Sequence, residues 1–153
     1  MASGINAAVV GYGFAGKSFH SYLIGLAEGL NLYAISTRDP VRRAAAAKDY
    51  GVKTYPDIDE LLQDDNVDLV VIATPHDTHI ELATKCMDAG KHVVVDKAMC
   101  MNTAEADAMM ESSKKDAEKR LPVWAFVILF ANEVSEDSEE CKGAVLVTSG
   151  FHS

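Results

Sequence analysis

The feature that most constrains the fold is a regular alternation of short apolar runs with longer, alanine-rich amphipathic segments. Several of the apolar runs contain almost no polar residue, which is typical of strands covered on both faces. The predicted strands are Ile5–Val10, Leu32–Ser36, Val52–Thr54, Leu69–Ala73, His92–Val95 and Val123–Phe130. The predicted helices are Ala15–Glu28, Val41–Tyr50, Ile58–Gln63, Ile80–Ala89 and Ala104–Lys119. This alternation predicts right-handed βαβ crossovers and therefore an α/β fold with a doubly wound parallel sheet.

Helix boundaries carry sequence signals of their own. Asp39-Pro40 predicts an N-cap followed by proline at the first helical position. Gly51 and Gly90 follow predicted helices at positions where a left-handed C-cap is needed. Thr103 precedes the last predicted helix, and we expect its hydroxyl to cap that helix.

Length and charge narrow the classes of function. The chain has 153 residues, enough for one domain with a buried core, and a formal net charge of -9. That charge argues against a nucleic-acid or membrane partner, because phosphate surfaces recruit Lys and Arg. The three cysteines have no CxxC spacing, which is typical of a reducing compartment and gives no zinc site. The N-terminus has no signal-peptide pattern, and we expect a cytoplasmic protein.

A glycine-rich string follows the first predicted strand and opens the first predicted helix: Gly11-Tyr12-Gly13-Phe14-Ala15-Gly16. A dinucleotide-binding Rossmann fold needs a GxGxxG motif at this place. Gly11 permits the tight turn, Gly13 lets a pyrophosphate approach the backbone, and Gly16 lets the helix pack close to the strand. The helix N-terminus offers unpaired N–H groups and a partial positive charge to the phosphates. We therefore predict that these six residues bind a dinucleotide.

The same segment also matches the phosphate-binding loop of NTPases. Residues Gly11 to Ser18 fit GxxxxGK[ST]. Against that interpretation, Gly13 supplies the additional glycine of the dinucleotide motif. Moreover, the strand Leu69–Ala73 is followed by Thr74-Pro75 rather than by an acidic residue. The dinucleotide interpretation is preferred, and magnesium-dependent ATP binding would support the alternative.

The end of the second predicted strand bears on which nicotinamide cofactor fits. NAD-specific domains carry an Asp or Glu about 20 residues past the glycine loop, where it binds the adenosine ribose. Here Ser36, Thr37 and Arg38 lie at that point. Two hydroxyls and an arginine can hold a 2′-phosphate through charge-assisted hydrogen bonds. The sequence thus favours NADP over NAD; the alternative is that Arg38 is a solvated loop residue and Asp39 contacts the ribose.

Further segments extend the glycine string into a longer ordered pattern. They are the strand Leu69–Ala73, Thr74-Pro75, His76-Asp77-Thr78-His79, Ala89-Gly90-Lys91-His92-Val93 and Asp96-Lys97-Ala98. In this order, over about residues 5 to 116, they resemble the N-terminal NAD(P)-binding domain of the Gfo/Idh/MocA oxidoreductases. The resemblance rests on the combination rather than on any one segment.

By this resemblance, the segment after the fourth strand would pass beneath the ribose and the nicotinamide. Its candidate cofactor-binding residues are Ala73, Thr74, Pro75, His76 and His79. His79 would begin a helix near the nicotinamide ribose. His76 and His79 flank Asp77, but their spacing without a third ligand does not predict a metal site. His20, in the first predicted helix, is expected to pack or to lie at the surface.

Lys97 is the candidate catalytic residue, because by the resemblance it matches the lysine of the family's Glu-Lys-Pro signature. There it would lie near the nicotinamide and the substrate hydroxyl, together with Asp96 as part of the cofactor site. It would orient the hydroxyl or relay its proton as hydride moves to C4 of the cofactor. Asp96 and Ala98 stand where the signature has Glu and Pro. Ala98 lacks the proline ring whose peptide geometry helps to aim the lysine in that signature.

Members of this family carry a second α/β domain that supplies most substrate contacts. We assign residues 1–131 to the Rossmann domain and the acidic stretch 132–153 to a divergent tail. The chain is therefore expected to be truncated, and inactive on a sugar or polyol unless a second domain is supplied. The alternative is a non-catalytic dinucleotide-binding module that senses cofactor or binds a protein partner. The sequence predicts neither the substrate nor the oligomeric state.

Overall fold

Six parallel strands form the centre of the molecule in a computed structural model that describes residues 4–114 and 124–126. The strands are β1 (Ile5–Val10), β2 (Leu30–Ser36), β3 (Lys53–Tyr55), β4 (Leu69–Ile72), β5 (His92–Asp96) and β6 (Trp124–Phe126). Their order in the sheet is β3-β2-β1-β4-β5-β6. The strand order reverses between β1 and β4, so the sheet is doubly wound and the predicted fold class is confirmed.

The helices connect successive strands. They are α1 (Ser21–Leu26), α2 (Pro40–Tyr50), α3 (Ile58–Leu62), α4 (His79–Asp88) and α5 (Thr103–Lys114). A π-helical turn, Gly16–His20, leads into α1, and a 3-10 turn, His76–Thr78, precedes α4. Within these described ranges, no helix combines the length and the apolar character needed to cross a membrane.

Two apolar cores lie on opposite faces of the sheet, because successive side chains of a strand point to opposite faces. In β1, Ala7 and Val9 belong to one core, and Ala8 and Val10 belong to the other. The first core also contains residues of α1, α2 and the glycine turn: Tyr12, Ile24 and Ala46. The second contains residues of α3, α4 and α5, among them Ile58, Leu61, Ala83, Met87 and Met109. Burial on both faces explains why the strands are almost continuously apolar.

Most predicted boundaries are shifted by one residue, and two are shifted further for local reasons. The first helix ends at Leu26 rather than Glu28, because Ala27 is already extended and Gly29 has a φ of +82°. The second strand can therefore begin at Leu30, earlier than predicted. The predicted continuations of the last helix to residue 119 and of the last strand to residue 130 lie outside the described residues. So does the predicted tail, 132–153.

The helix caps confirm most of the sequence signals. The Asp39 carboxylate accepts hydrogen bonds from the backbone N–H groups of Val41 and Arg42, at 2.8 Å and 3.3 Å. Gly51 is left-handed at the end of α2, with a φ of +66°. The prediction that Thr103 caps α5 is wrong.

Thr103 is the first residue of α5, and the residue before it provides the cap. The side-chain oxygen of Asn102 accepts the backbone N–H of Glu105 at 2.9 Å. The Glu105 carboxylate accepts the backbone N–H of Met101 at 2.8 Å. This reciprocal arrangement satisfies backbone donors before and inside the first turn, as a capping box does.

A charged network fixes the connection between α3 and β4. The Asp64 carboxylate accepts hydrogen bonds from the hydroxyls of Tyr55 and Tyr33, at 2.6 Å and 3.0 Å. It also accepts one from the Lys53 amine at 3.0 Å. Hydrogen bonding, above all from Tyr55 and then from Asn66, holds the pKa of Asp64 well below its usual range. The network joins β2, β3 and this connection.

Candidate cofactor site

Two glycines of the GxGxxG string are required by the packing of the turn itself. Gly11 has a φ of +97°, and a Cβ there would lie 2.5 Å from the carbonyl oxygen of Ala73. A Cβ on Gly16 would lie 1.9 Å from the carbonyl oxygen of Gly11. Real Cβ atoms do not approach this closely, so both positions need glycine. At Gly16 the nearest atom belongs to the turn, and the strand residue Val9 follows at 3.4 Å.

Gly13 is different, because the space above it is open. The nearest atom to a Cβ there would be Nη1 of Arg42, at 3.9 Å. Packing against the described residues therefore does not require a glycine at this position. The missing side chain leaves an open cradle over backbone N–H groups, which fits an approaching pyrophosphate.

The glycine turn passes into a helix through the π-helical turn Gly16–His20. The backbone N–H of Lys17 donates to the carbonyl of Gly13 at 2.9 Å. Farther along, the hydroxyl of Ser21 donates to the carbonyl of Gly16 at 2.7 Å. Such π-turns are rare and are frequent at functional sites.

Tyr12 and Phe14, both predicted to bind cofactor, lie in contrasting environments. The Tyr12 side chain is 4% exposed and packs edge-to-face on Tyr50. Its hydroxyl donates to the Asp49 carboxylate at 2.9 Å, and burial raises the pKa of Tyr12. The Phe14 side chain is 86% exposed. Tyr12 thus anchors the underside of the turn to α2 through its ring, whereas its backbone borders the cleft described next.

A cleft of about 680 Å³ opens along the carboxyl ends of β1, β2 and β4. It brings together nine of the predicted site residues: Gly11, Tyr12, Gly13, Ser36, Thr37, Arg38, Ala73, Thr74 and Pro75. Seven others do not line it: Phe14, Ala15, Gly16, His76, His79, Asp96 and Lys97. The cleft lies at the reversal of strand order, where open α/β sheets bind ligands.

The wall of the cleft at the end of β2 is rich in arginine. Arg38 and Arg42 both line it and are exposed. The Asp39 carboxylate is engaged as the N-cap of α2, and its second oxygen lies 3.5 Å from Nε of Arg42. Arg43 points back, donating from Nη1 to the carbonyl of Thr37 at 2.9 Å. Arg38 and Asp39 both border the cleft, so this wall offers a cation and a carboxylate side by side.

Sequence reasoning missed Arg42 and the residues that close the far end of the cleft. Asp59 in α3 and Lys85 in α4 pair across it, with 3.3 Å between carboxylate oxygen and amine. Glu81 lies 3.6 Å from the same amine. The Asp39-Pro40 signal could have placed Arg42, because a residue three positions after an N-cap lies in the first helical turn. The pairing of α3 with α4 has no local signal.

Lys17, the lysine of the possible NTPase motif, points away from this cleft. Its amine lies 2.8 Å from the Asp49 carboxylate and 5.7 Å from the centroid of the Tyr12 ring. Lys17 is not among the residues that line the cleft. A phosphate-binding lysine must reach the phosphates, so the geometry disfavours the NTPase interpretation.

His79 lies beneath the loops rather than on their surface. Its ring is fully buried, with Nδ1 2.7 Å from the carbonyl oxygen of Ala98 and Nε2 2.9 Å from that of Thr74. A neutral imidazole can donate to only one of these carbonyls, whereas the imidazolium can donate to both. The ring of His76 lies edge-on to that of His79, at 5.6 Å between centroids, and His76 itself is exposed.

Lys97 follows β5 and is exposed. Its backbone N–H donates to the Asp96 carboxylate at 2.9 Å, and the peptide bond to Ala98 is cis. The same Asp96 oxygen lies 3.5 Å from Nε2 of His20, a buried residue whose contact with this turn the sequence did not reveal. Among residues 4–114 and 124–126, no group of three His, Cys, Asp or Glu side chains could hold a metal ion.

Residues 5–123 match the sequence model of a family described as an oxidoreductase family with an NAD-binding Rossmann fold, Gfo/Idh/MocA. The chain belongs to this family. An uncharacterized oxidoreductase of Escherichia coli K12, YdgJ, is 40% identical over 115 residues, covering 73% of this chain and 33% of that protein. A myo-inositol 2-dehydrogenase of Thermotoga maritima is 37% identical, covering 70% and 32%.

A solved structure with the same fold is that of an NAD-binding protein from Listeria innocua. It superimposes with a TM-score of 0.70 at 37% identity, over 76% of this chain and 34% of that one. The chain spans about a third of the length of the curated relatives it matches. The predicted family and its NAD-binding Rossmann fold are therefore confirmed.

Proposed function

We propose that this chain carries the cofactor domain of a Gfo/Idh/MocA oxidoreductase that prefers NADP to NAD. One observation carries the preference. The cleft leads from the open backbone at Gly13 to an exposed arginine, Arg38, while the neighbouring carboxylate of Asp39 is committed to capping α2. A 2′-phosphate would meet positive charge here, whereas the Asp39 carboxylate, which also lines the cleft, already accepts two backbone N–H groups and faces Arg42.

The residues of the cleft divide between the parts of the dinucleotide. The N–H groups around Gly13 would hold the pyrophosphate. Ser36, Thr37 and Arg38 would surround the 2′-phosphate, with Arg42 as a second cation on the same wall. The Arg38 guanidinium makes no hydrogen bond or ion pair with any other described residue, so it is available for a phosphate. Thr74 and Pro75 would lie beneath the ribose and nicotinamide.

Lys97 would act on the substrate at the nicotinamide end. The bound cofactor supplies the hydride acceptor or donor. Lys97 is exposed at the carboxyl end of β5, the neighbour of β4, and its amine has no partner within residues 4–114 and 124–126. It would orient the hydroxyl of a sugar or polyol, or relay its proton, while the hydride leaves the same carbon, giving a carbonyl.

Lys97 does not line the cleft that we propose for the cofactor. Hydride transfer needs substrate and cofactor held in contact. We therefore propose that this chain alone binds cofactor without turning over a polyol. The same observation favours a second candidate, a non-catalytic module that presents bound dinucleotide to another protein.

Calorimetric titration with NADPH, NADH and ATP–magnesium tests the proposal, using the unmodified chain and an Arg38→Ala variant. We expect NADPH to bind more tightly than NADH. The substitution should weaken NADPH about 10- to 100-fold, the range for lost hydrogen bonds to a charged group, and leave NADH unchanged. Lys48→Ala, which removes an exposed cation on the far turn of α2, is the matched control.

Each other outcome has a definite meaning. Equal NADH and NADPH binding, unaffected by the substitution, would keep the cofactor domain and exclude the NADP preference. Magnesium-dependent ATP binding alone would restore the NTPase interpretation. A folded chain that binds no nucleotide would contradict the proposal altogether.

A further inference from the structure

The turn that carries Lys97 lies between two buried histidines that come from different helical segments. His20, in the π-helical turn, is 5% exposed and His79, at the start of α4, is fully buried. His20 contacts the residue before Lys97 and His79 contacts the residue after it. Lys97 itself is exposed.

The contact before Lys97 passes through one carboxylate oxygen. Oδ1 of Asp96 accepts the backbone N–H of Lys97 at 2.9 Å and lies 3.5 Å from Nε2 of His20, a contact longer than an ordinary hydrogen bond. The ring of Phe19 packs edge-on against His20, with 5.7 Å between centroids. The orientation of this carboxylate therefore links the helix of the glycine turn to the backbone of Lys97.

The contact after Lys97 is a direct hydrogen bond to the main chain. Nδ1 of His79 lies 2.7 Å from the carbonyl oxygen of Ala98, and Nε2 lies 2.9 Å from that of Thr74. Thr74 lines the cofactor cleft. One buried ring thus bridges the Lys97 turn and the cleft, and a buried imidazole is stable only with such partners.

We propose that His20 and His79 are positioning residues that fix the backbone on either side of Lys97. The value of this arrangement for catalysis rests on the proposed function of Lys97. Asp96, Lys97 and Ala98 include no proline ring and no large apolar side chain that could anchor the turn. Two contacts from separate helical segments restrict the path of the main chain, and with it the direction in which the lysine side chain leaves the sheet.

A matched pair of amide substitutions separates the two bonds of His79. In His79→Asn the amide nitrogen lies near the position of Nδ1 and can still donate to Ala98. In His79→Gln it lies near the position of Nε2 and can donate only to Thr74. Backbone ¹⁵N relaxation of the labelled chain, without cofactor, then measures the order of Lys97 and Ala98, with the turn at Gly90 as internal reference.

We expect order parameters of about 0.85 at Lys97 and Ala98 in the unmodified chain and in His79→Asn. In His79→Gln they should fall below about 0.6, while Gly90 is unchanged. If the Asn and Gln variants behave alike at Lys97, the Nδ1 bond does not hold the turn and the proposal is wrong. A general loss of packing would lower the order at Gly90 as well.

The opposite side of the turn provides a second test if neither His79 variant folds. His20→Gln keeps a polar group near the position of Nε2, whereas His20→Leu keeps only the bulk. Order at Lys97 should survive the first and be lost in the second, and equal behaviour would overturn the proposal. NADPH titration of the same samples separates the two ideas, because failure of the unmodified chain to bind would refute the proposed function and leave the relaxation comparison intact.

Discussion

The glycine turn and the Lys97 turn both follow parallel strands, β1 and β5, yet the structure fixes them by different means. The glycine turn is held by close backbone contacts that exist because Cβ atoms are missing at Gly11 and Gly16. The Lys97 turn is held by side chains from elsewhere, His20 and His79. The glycine turn is fixed by glycines that lie close together in the sequence. The Lys97 turn depends on residues distant in the sequence that only the fold brings together.

The largest effect is expected from adding a methyl group to the glycine turn. Gly16→Ala would place a Cβ 1.9 Å from the carbonyl oxygen of Gly11, and neither backbone segment can move without opening the turn. We expect a loss of about 3 kcal/mol or more in the free energy of unfolding, measured with urea. Gly25→Ala in α1 is the control, because no atom lies within 4 Å of that Cβ position.

At Gly25 the substitution should stabilise the helix by up to about 1 kcal/mol. A Gly16→Ala protein as stable as this control would show that the turn yields easily. The close backbone contacts would then not be what fixes the glycine turn.

A smaller and different effect is expected at the third glycine of the same turn. In Gly13→Ala the new Cβ meets only Nη1 of Arg42, at 3.9 Å, so the free energy of unfolding should change by less than about 0.5 kcal/mol. The methyl group would nevertheless occupy the cradle proposed for the pyrophosphate. We expect NADPH and NADH to bind at least about 10-fold more weakly, corresponding to about 1.4 kcal/mol, by calorimetry.

This variant distinguishes a glycine kept for folding from one kept for binding. Unchanged affinity would mean that the cofactor does not approach the turn at Gly13. A large loss of stability would instead show that Gly13, like Gly11 and Gly16, is required for folding. The open space above it would then not be evidence for cofactor binding.

The sequence predicts the fold well because its signals are local. Alternating apolar runs set the parallel sheet, and Asp39-Pro40 and Gly51 set the limits of α2. The glycine string predicts the turn because a missing Cβ is visible in the sequence. Errors fall where several local choices are close in energy, as at the cap of α5, where Asn102 with Glu105 replaces Thr103.

The site is predicted less completely, because side-chain partners distant in sequence decide its details. The sequence around Lys17 does not indicate that its amine pairs with the Asp49 carboxylate. The sequence around His20 does not indicate its contact with Asp96. The resemblance predicts a cofactor role for His79, whereas the structure buries its ring with both nitrogens facing carbonyl oxygens of two different loops.

Tyr12 offers the smallest test, because it is a side-chain anchor within the turn that glycines dominate. Tyr12→Phe removes the hydrogen bond from the hydroxyl to Asp49 and keeps the ring contact with Tyr50. We expect a loss of about 1 kcal/mol in the free energy of unfolding and no change in NADPH affinity, because the hydroxyl points to α2 rather than into the cleft. Burial raises the pKa of Tyr12, so the hydroxyl stays protonated and the loss should be the same at pH 7 and pH 9. Weaker NADPH binding without a loss of stability would instead make Tyr12 a direct cofactor contact. Its hydroxyl would then not be an anchor of the glycine turn.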